Sequence, residues 1–429
     1  MRIRSVIPMA AVLMLGLAVT VQAQNAGRVK IGGNAAKDQP DKEAERKSRE
    51  SSPEAKSDRD QPELPTLKVY EWGVATMNWD GSDEGADDVP AFYYDASEVP
   101  VEAAPVAEPK PQPDDGPAPV RPPIKIRKPV VYFECDRDLV FDLDVHFTKG
   151  KLTWMFPKPN RLTDASTVQW DNIKLYSDEL PRDKFAPPEL HDVDASHWAG
   201  FSRDGSTSSL VVNDEHERFL FYEGTQDGLP DADIFRDADG NIIVRNYTAH
   251  ELLDLRIHFG DDYWHAPAVP AASGDKPGSL TLTEAMLLDE ASGTLTAETA
   301  KAGLTEAQAK VFERAWHNDF MADNSMSWRR TPEALDELMQ LKLTLPAGMG
   351  SEVHRVGYVM VKNIDLTKQP EMDELVTKAV DGDAEAEKKL RASGMAGAGA
   401  LRRAVGQEGV DLKLRLKLAK ILGEIGASR

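Results

Sequence analysis

Three stretches of this chain bring side chains of chemical use close together. Asp142, Asp144 and His146 stand two apart, which on a strand aims two carboxylates and an imidazole at one side. Such oxygen and nitrogen donors suit a divalent ion. The same spacing recurs as Asp254, Arg256 and His258, where a guanidinium takes the middle place. No metal tolerates that charge, so both sets read as solvated faces of amphipathic strands. A denser group, Asp231, Asp233, Asp237, Asp239 and Asn241, crowds around Gly240. Asp237, Asp239 and Asn241 are candidate calcium ligands. With Gly240 at the sixth place of an EF-hand loop, however, the first ligand would be Phe235. Asp-Gly-Asn ahead of Ile242 is also a hairpin turn, and a structural turn is the expectation. The third stretch, His191 to His197, sets two histidines on one face of an extended chain and Asp192 and Asp194 on the other, an awkward set for a single ion.

Nucleophile signatures are weaker. No G-x-S-x-G elbow, H-E-x-x-H, P-loop or dinucleotide glycine fingerprint occurs, and Ser202, Ser206 and Ser351 merely lie near glycines. Paired carboxylates for glycoside cleavage cannot be singled out among 72 acidic residues. Trp154, Trp170, Trp198 and Trp264 are candidate binding residues, because a flat indole covers the C–H face of a sugar; core packing is the competing role for each. No cofactor is expected beyond calcium as a candidate ion.

The elements that would position these residues follow from patterning. Arg2 and Arg4 precede an apolar run from Val6 to Val21, and Val21-Gln22-Ala23 ends it with small residues. That is a secretory signal peptide, too short in its apolar part for a stable membrane span, and no later run reaches transmembrane length. Cys135 is the only cysteine, so no intramolecular disulfide supports the fold despite an oxidising destination. It closes an apolar strand, where a small buried side chain is the simplest role. The formal net charge of −21 argues against nucleic acid and anionic membranes as partners.

Residues 24–64 are charged and free of aromatics, the composition of a disordered linker, and Val101 to Pro123 is a proline-rich loop. Leu139, Phe141, Leu143, Val145 and Phe147 alternate with polar residues as a strand, and Thr148-Lys149-Gly150 reads as a hairpin turn into Lys151–Phe156. Further strands are expected at Val168–Lys174, Ser209–Asn213, Arg218–Tyr222, Asn241–Arg245 and Leu252–Phe259. Many short strands without intervening helices give a mainly β fold, an antiparallel β-sandwich or barrel-like domain over 65–365. A helical insertion is expected at about 283–340. Thr305 with Gln308 forms a capping box, and Thr331-Pro332 starts a second helix. Gln340–Leu345 and His354–Lys362 return to strand. Residues 366–429 form a small all-α unit of three or four helices, with Gly394, Gly397 and Gly399 as interruptions. Its last stripe, Leu414, Leu418, Ile421, Leu422 and Ile425, must be covered by the β domain or by a partner.

Several phrases resemble an uncharacterised family of secreted bacterial proteins. Val69-Tyr70-Glu71-Trp72-Gly73-Val74 is similar to its "YEWG" strand, and Lys128-Pro129-Val130-Val131-Tyr132-Phe133 to its "KPV-YF" strand. Glu217 to Gly224 resembles its "E-FLFYRG" segment with Glu223 in place of Arg, and His354 to Val359 its "RVFVGR" strand. The segment Trp328–Leu345 departs from that family's "W–SWF–G–R" pattern. The resemblance implies a β-rich exported domain and brings no activity with it. Lys389 to Gly394 followed by Ala400 to Ala404 resembles a degenerate HEAT-type helical pair, a unit that normally stacks against others.

These features point to an extracytoplasmic, periplasmic or secreted, non-catalytic binding or scaffolding protein whose partners are an envelope protein or a glycan. The alternative is an extracytoplasmic hydrolase of glycans or peptides that uses carboxylates or a metal. Processing after Ala23 is the first testable consequence: the intact mass of protein recovered from the cell envelope should correspond to a chain starting at Gln24.

Overall fold

The computed structural model of the chain describes residues 65–82, 84, 92–101, 124–177, 196–228, 230–285, 294–406 and 410–426. The expected signal peptide and linker, nearly all of the proline-rich loop, and His191 with its two aspartates lie outside the described residues. The chain opens with β1 (Thr66–Asn78), β2 (Tyr94–Asp95), β3 (Ile124–Glu134), β4 (Leu139–Phe147), β5 (Gly150–Phe156), β6 (Arg161–Asp164) and β7 (Thr167–Tyr176). A short helix α1 (Trp198–Ser202) leads to β8 (Ser209–Val212), β9 (Glu215–Glu217), β10 (Leu220–Gln226), β11 (Ala232–Arg236) and β12 (Ile242–Asn246). Then come β13 (Leu252–Phe259), β14 (Asp262–Val269), β15 (Gly278–Leu282), α2 (Thr294–Lys301), α3 (Glu306–Phe320) and β16 (Ser325–Arg329). α4 (Pro332–Leu338), β17 (Met339–Thr344) and β18 (Gly350–Lys362) complete the β-rich part, and α5 (Gln369–Val380), α6 (Ala384–Ala392), α7 (Gly394–Val405) and α8 (Leu412–Gly426) follow.

The fold is mainly β with C-terminal helices, as the patterning predicts, and its sheets are open rather than closed into a barrel. A nine-stranded sheet runs β14-β13-β16-β18-β1-β3-β10-β5-β2. All its pairings are antiparallel except one: β1 and β18 lie parallel in register from Thr66↔Gly350 to Asn78↔Lys362. A six-stranded sheet, β17-β4-β7-β8-β9 with β6 on β7, and a three-stranded sheet, β11-β12-β15, complete the β structure. One apolar core joins Leu67, Val69, Ala75 and Met77 of β1 to both smaller sheets and the C-terminal helices. A second core covers the opposite face, where Tyr70, Trp72 and Val74 meet Phe312 and Trp316 of α3. Because β1 is buried on both sides, it lacks the polar alternation of a solvated strand. β4 keeps it: its odd-numbered residues are buried and the even-numbered ones are exposed or half-buried.

Three local expectations are corrected. The turn at Thr148–Gly150 does not close a hairpin, because β4 pairs with β17 and β7 while β5 pairs with β10 and β2 in the large sheet. The chain crosses there from one sheet to the other. Gly150, at φ +143°, makes the crossing sterically feasible, since a Cβ would lie 1.9 Å from the Thr225 carbonyl oxygen. Gly394, at φ +54°, does mark the break between α6 and α7, but Gly397 and Gly399 do not interrupt the tail: both lie inside α7, whose first eight residues are buried. Small residues there let the helix backbone approach its neighbours closely. A Cβ on Gly399 would stand 3.1 Å from Asp233 Oδ2 on β11. Thr305 and Gln308 form the expected capping box, and Thr331 caps α4 with Pro332 in the first turn. The tail stripe does not need the β domain or a partner to cover it, as the patterning required: Leu418, Ile421 and Ile425 are buried as α8 packs against the neighbouring helices α5, α6 and α7. Among the described residues no helix is long and apolar enough to cross a membrane.

At the centre of the large sheet Glu71 and Arg355 face each other directly across the β1–β18 ladder, 3% and 5% exposed. Arg355 Nε donates to Glu71 Oε2, and Tyr222 donates its hydroxyl proton to Oε1. Arg355 Nη1 donates to Asp336 Oδ1 at 2.6 Å and to the Met339 carbonyl at 2.7 Å. Removing one member of such a pair leaves a buried charge without compensation. Arg355→Ala should therefore cost about 3–5 kcal/mol, read as a lower urea midpoint, and the double variant Glu71→Gln/Arg355→Met should recover most of the loss.

Candidate binding site

The candidate residues disperse through the structure. Trp170 is fully buried in the sandwich core, where Nε1 donates to the Pro157 carbonyl at 3.0 Å. Trp264 is buried on β14 beside Phe259. Trp198, at the start of α1, is buried among Tyr93, Phe219 and Phe221. These three rings serve the cores and offer no open face to a sugar; the large apolar area of an indole favours that outcome. Trp154 is half-buried on β5, opposite Glu223 on one side and Asp95 on the other.

The acidic turn spends its carboxylate internally. Asp237 Oδ1 accepts from the amides of Asp239 (3.0 Å) and Asn241 (2.9 Å), and Oδ2 accepts from Asn241 Nδ2 (3.0 Å). The Asn241 hydrogen bond leads the effects that hold the Asp237 carboxyl below its ordinary value. Asp142 accepts from the Asn172 amide, Asp144 pairs with Lys342, and His146 Nδ1 meets Thr167 Oγ1 at 2.8 Å. Among the described residues no three His, Cys, Asp or Glu side chains are placed to share a metal. His197 caps α1 by accepting from the Ala199 amide. Cys135 is half-buried.

The polar face of β13 is not solvated. Asp254, Arg256 and His258 are all buried, because β13 is paired on both sides and its face packs with Tyr358 of β18. Asp254 Oδ2 accepts from Arg256 Nε (3.0 Å) and the Tyr358 hydroxyl (2.5 Å), and Oδ1 from Arg256 Nη2 (3.1 Å) and His265 Nε2 (2.7 Å). Burial pushes the Asp254 carboxyl up, but His265, Arg256 and Tyr358 together outweigh it and carry the group below its ordinary 3.8.

A second cluster gathers the four strand phrases quoted above. Glu71 and Gly73 on β1, Lys128 and Pro129 on β3, Tyr222 and Glu223 on β10, and Arg355 and Gly357 on β18 occupy four consecutive neighbours in the sheet. Register shifts fall at Trp72/Val74, at Phe221/Gly224 and at Glu223/Gly224. Pro129 has no amide to give to the ladder and is tolerated where the register is broken, and a Cβ on Gly73 would lie 3.1 Å from its Cα. The Lys128 amide donates to Glu223 Oε1 at 3.2 Å, and its ammonium sits 4.5 Å from the Trp316 ring centroid and 5.8 Å from that of Trp198. Burial pushes that ammonium below its ordinary value.

Open volume lies elsewhere. A cleft of about 540 Å³ separates the three-stranded sheet from the C-terminal helices. Arg245 and Tyr247, at the end of β12, and Lys276, in the loop before β15, line one wall; Arg402, Val405 and Leu422 line the other. The Arg402 guanidinium lies 4.1 Å from the Tyr247 ring centroid, and Nη2 donates to the Pro230 carbonyl at 2.9 Å. Its Nη1 is buried with no hydrogen-bond partner among the described residues. Beneath the cleft, Asp233 accepts from the Tyr247 hydroxyl at 3.0 Å. Burial pushes the Asp233 carboxyl up, and Arg403 and Arg402 offset this only in part.

No family model matches the chain, and no curated protein does. A solved structure, the Fcho1 Mu homology domain of Danio rerio with bound Eps15 peptide, is similar over 70% of this chain and 95% of that chain, at 8% identity and a TM-score of 0.26.

No motif in the sequence marks the cleft residues as a site. Arg402 was visible only as part of a helical phrase, and Arg245 only as the end of a strand. The available signal was uncommitted cations in a strongly acidic chain. The Asp254 cluster gives a separate test. A carboxyl held low in the fold adds stability above pH 3.8 that is lost as pH falls through its folded value. Asp254→Asn, which tolerates the local φ of +46°, should flatten that acid limb and cost about 3 kcal/mol at neutral pH, measured by thermal unfolding from pH 2 to 7.

Proposed function

We propose that this chain is an exported binding protein of the cell envelope whose ligand occupies the cleft between the three-stranded sheet and the C-terminal helices. The cleft itself carries this reading. Its volume falls in the range of small-molecule sites, and its walls come from two parts of the chain far apart in sequence. The signal peptide supports an extracytoplasmic address. The resemblance to a secreted β-rich family agrees with it.

A hydrolytic role has one specific observation behind it, the imidazole of His265 held by the Asp254 carboxylate as in acid–base sites. That reading predicts turnover of glycan or peptide probes which His265→Gln abolishes.

The binding reading is tested by filling the cleft. Ser279, exposed on β15 opposite Arg245, can be changed to Trp at little cost to packing. In a thermal-shift screen of small molecules, ligands of the wild type should stabilise it by about 2.7 kcal/mol at a hundred times their Kd, and Ser279→Trp should lose the shift. Equal shifts in both proteins would place the ligands elsewhere and overturn the assignment.

A further inference from the structure

We infer that the cleft selects a small amphiphilic anion, a carboxylate or phosphate group attached to an apolar body. This rests on the cleft being the ligand site. Three cationic side chains line it, Arg245, Lys276 and Arg402, and none makes an ion pair among the described residues. The chain as a whole carries 72 acidic against 51 basic residues, so three uncommitted cations around one opening run against its composition. The lining includes one acid, Asp275, which is exposed at the loop before β15. The carboxylate closest to Arg402 in the layer below, Asp233, has its hydrogen bond from Tyr247 and does not close an ion pair with Arg402.

The positions of the cations suit an anionic head and an uncharged tail. Arg402 is held over the Tyr247 ring at 4.1 Å and anchored at Nη2 to the Pro230 carbonyl, so its charge is fixed before any ligand arrives. Arg245 lies with its guanidinium 4.7 Å from the Phe235 ring centroid and makes no hydrogen bond to another side chain among the described residues. Guanidinium groups held in this way match the planar, two-oxygen edge of a carboxylate or phosphate. The helical wall adds Val405 and Leu422, both half-buried and apolar, and Pro277 faces the same space. A fully hydrated inorganic ion would leave that apolar wall uncovered. An anion with an apolar body would cover it.

Four probes separate the contributions: phenyl phosphate, phenylacetate, the neutral analogue 2-phenylethanol, and inorganic phosphate, each titrated calorimetrically into the mature protein. At least one of the two aromatic anions should bind about tenfold or more tightly than the neutral analogue and than inorganic phosphate. Comparison of the two anions shows whether carboxylate or phosphate is the preferred head. Arg245→Gln and Lys276→Gln, both at the cleft surface, should each weaken the preferred anion about tenfold without lowering the melting temperature. Ser279→Trp should abolish binding. Equal binding of the neutral analogue, or no binding of either aromatic anion, would overturn the anionic assignment. If neutral ligands from the wider screen then bind the wild type but not Ser279→Trp, the cleft remains the ligand site and only its chemical class falls. Anion binding that survives Ser279→Trp would overturn both.

Discussion

The pairing of Glu71 with Arg355 is the constraint on which the rest of the structure depends. Two opposite charges stand directly across a parallel ladder, inside a sandwich, with almost no access to water. Desolvating both is costly, and the cost is offset only when the geometry is complete. Tyr222 from a third strand, the Asp336 carboxylate from α4 and the Met339 carbonyl where β17 begins satisfy most of the pair, and only Arg355 Nη2 has no hydrogen-bond partner among the described residues. A one-residue slip of β18 would turn Arg355 to the opposite face and leave Glu71 buried alone. The ion pair thus helps fix the register between the two strands at a point where both are buried.

Both faces of the sheet follow from that register. On one side the apolar residues of β1 join the smaller sheets and the tail; on the other they meet α3. The tail is tied to the end of β1 as well: the Ala396 amide donates to the Trp79 carbonyl at 3.0 Å, and Gly81 and Gly394 approach so closely that neither could carry a Cβ in place. The cleft beside β12 exists because α7 is held at this distance, close enough for Arg402 to lie on Tyr247 and far enough to leave space above it.

Patterning made the architecture legible wherever polar and apolar residues alternate or a capping residue marks a helix start. β4, β13 and the capped helices α3 and α4 announce themselves by period or by cap. β16 and β14 did not, since a short central strand such as Ser325–Arg329 and a mixed edge strand show no clean alternation. Partners were beyond reach: nothing in Thr148-Lys149-Gly150 distinguishes a hairpin from a crossing between sheets, because that depends on whether β10 offers β5 a better edge. The polar face of β13 misled for a related reason. Asp254, Arg256 and His258 look solvated until His265 and Tyr358 arrive from other strands to satisfy Asp254. The cleft was illegible because Arg402 comes from more than 120 residues beyond Arg245 and Lys276 along the chain.

The parallel ladder also sets a clock. Glu71 and Arg355 are separated by 284 positions, so β1 cannot find its partner until nearly the whole β-rich part has been made. At roughly 5–20 residues added per second, that wait is on the order of 15–60 s. Closing so long a loop is entropically unfavourable, and non-local pairings of this kind form late. Through that interval the nascent chain lacks its central strand pair and has one side of β1 unmatched. On the export route proposed above, such a delay would be an asset: the topology itself would postpone collapse until most of the chain is available on one side of the membrane.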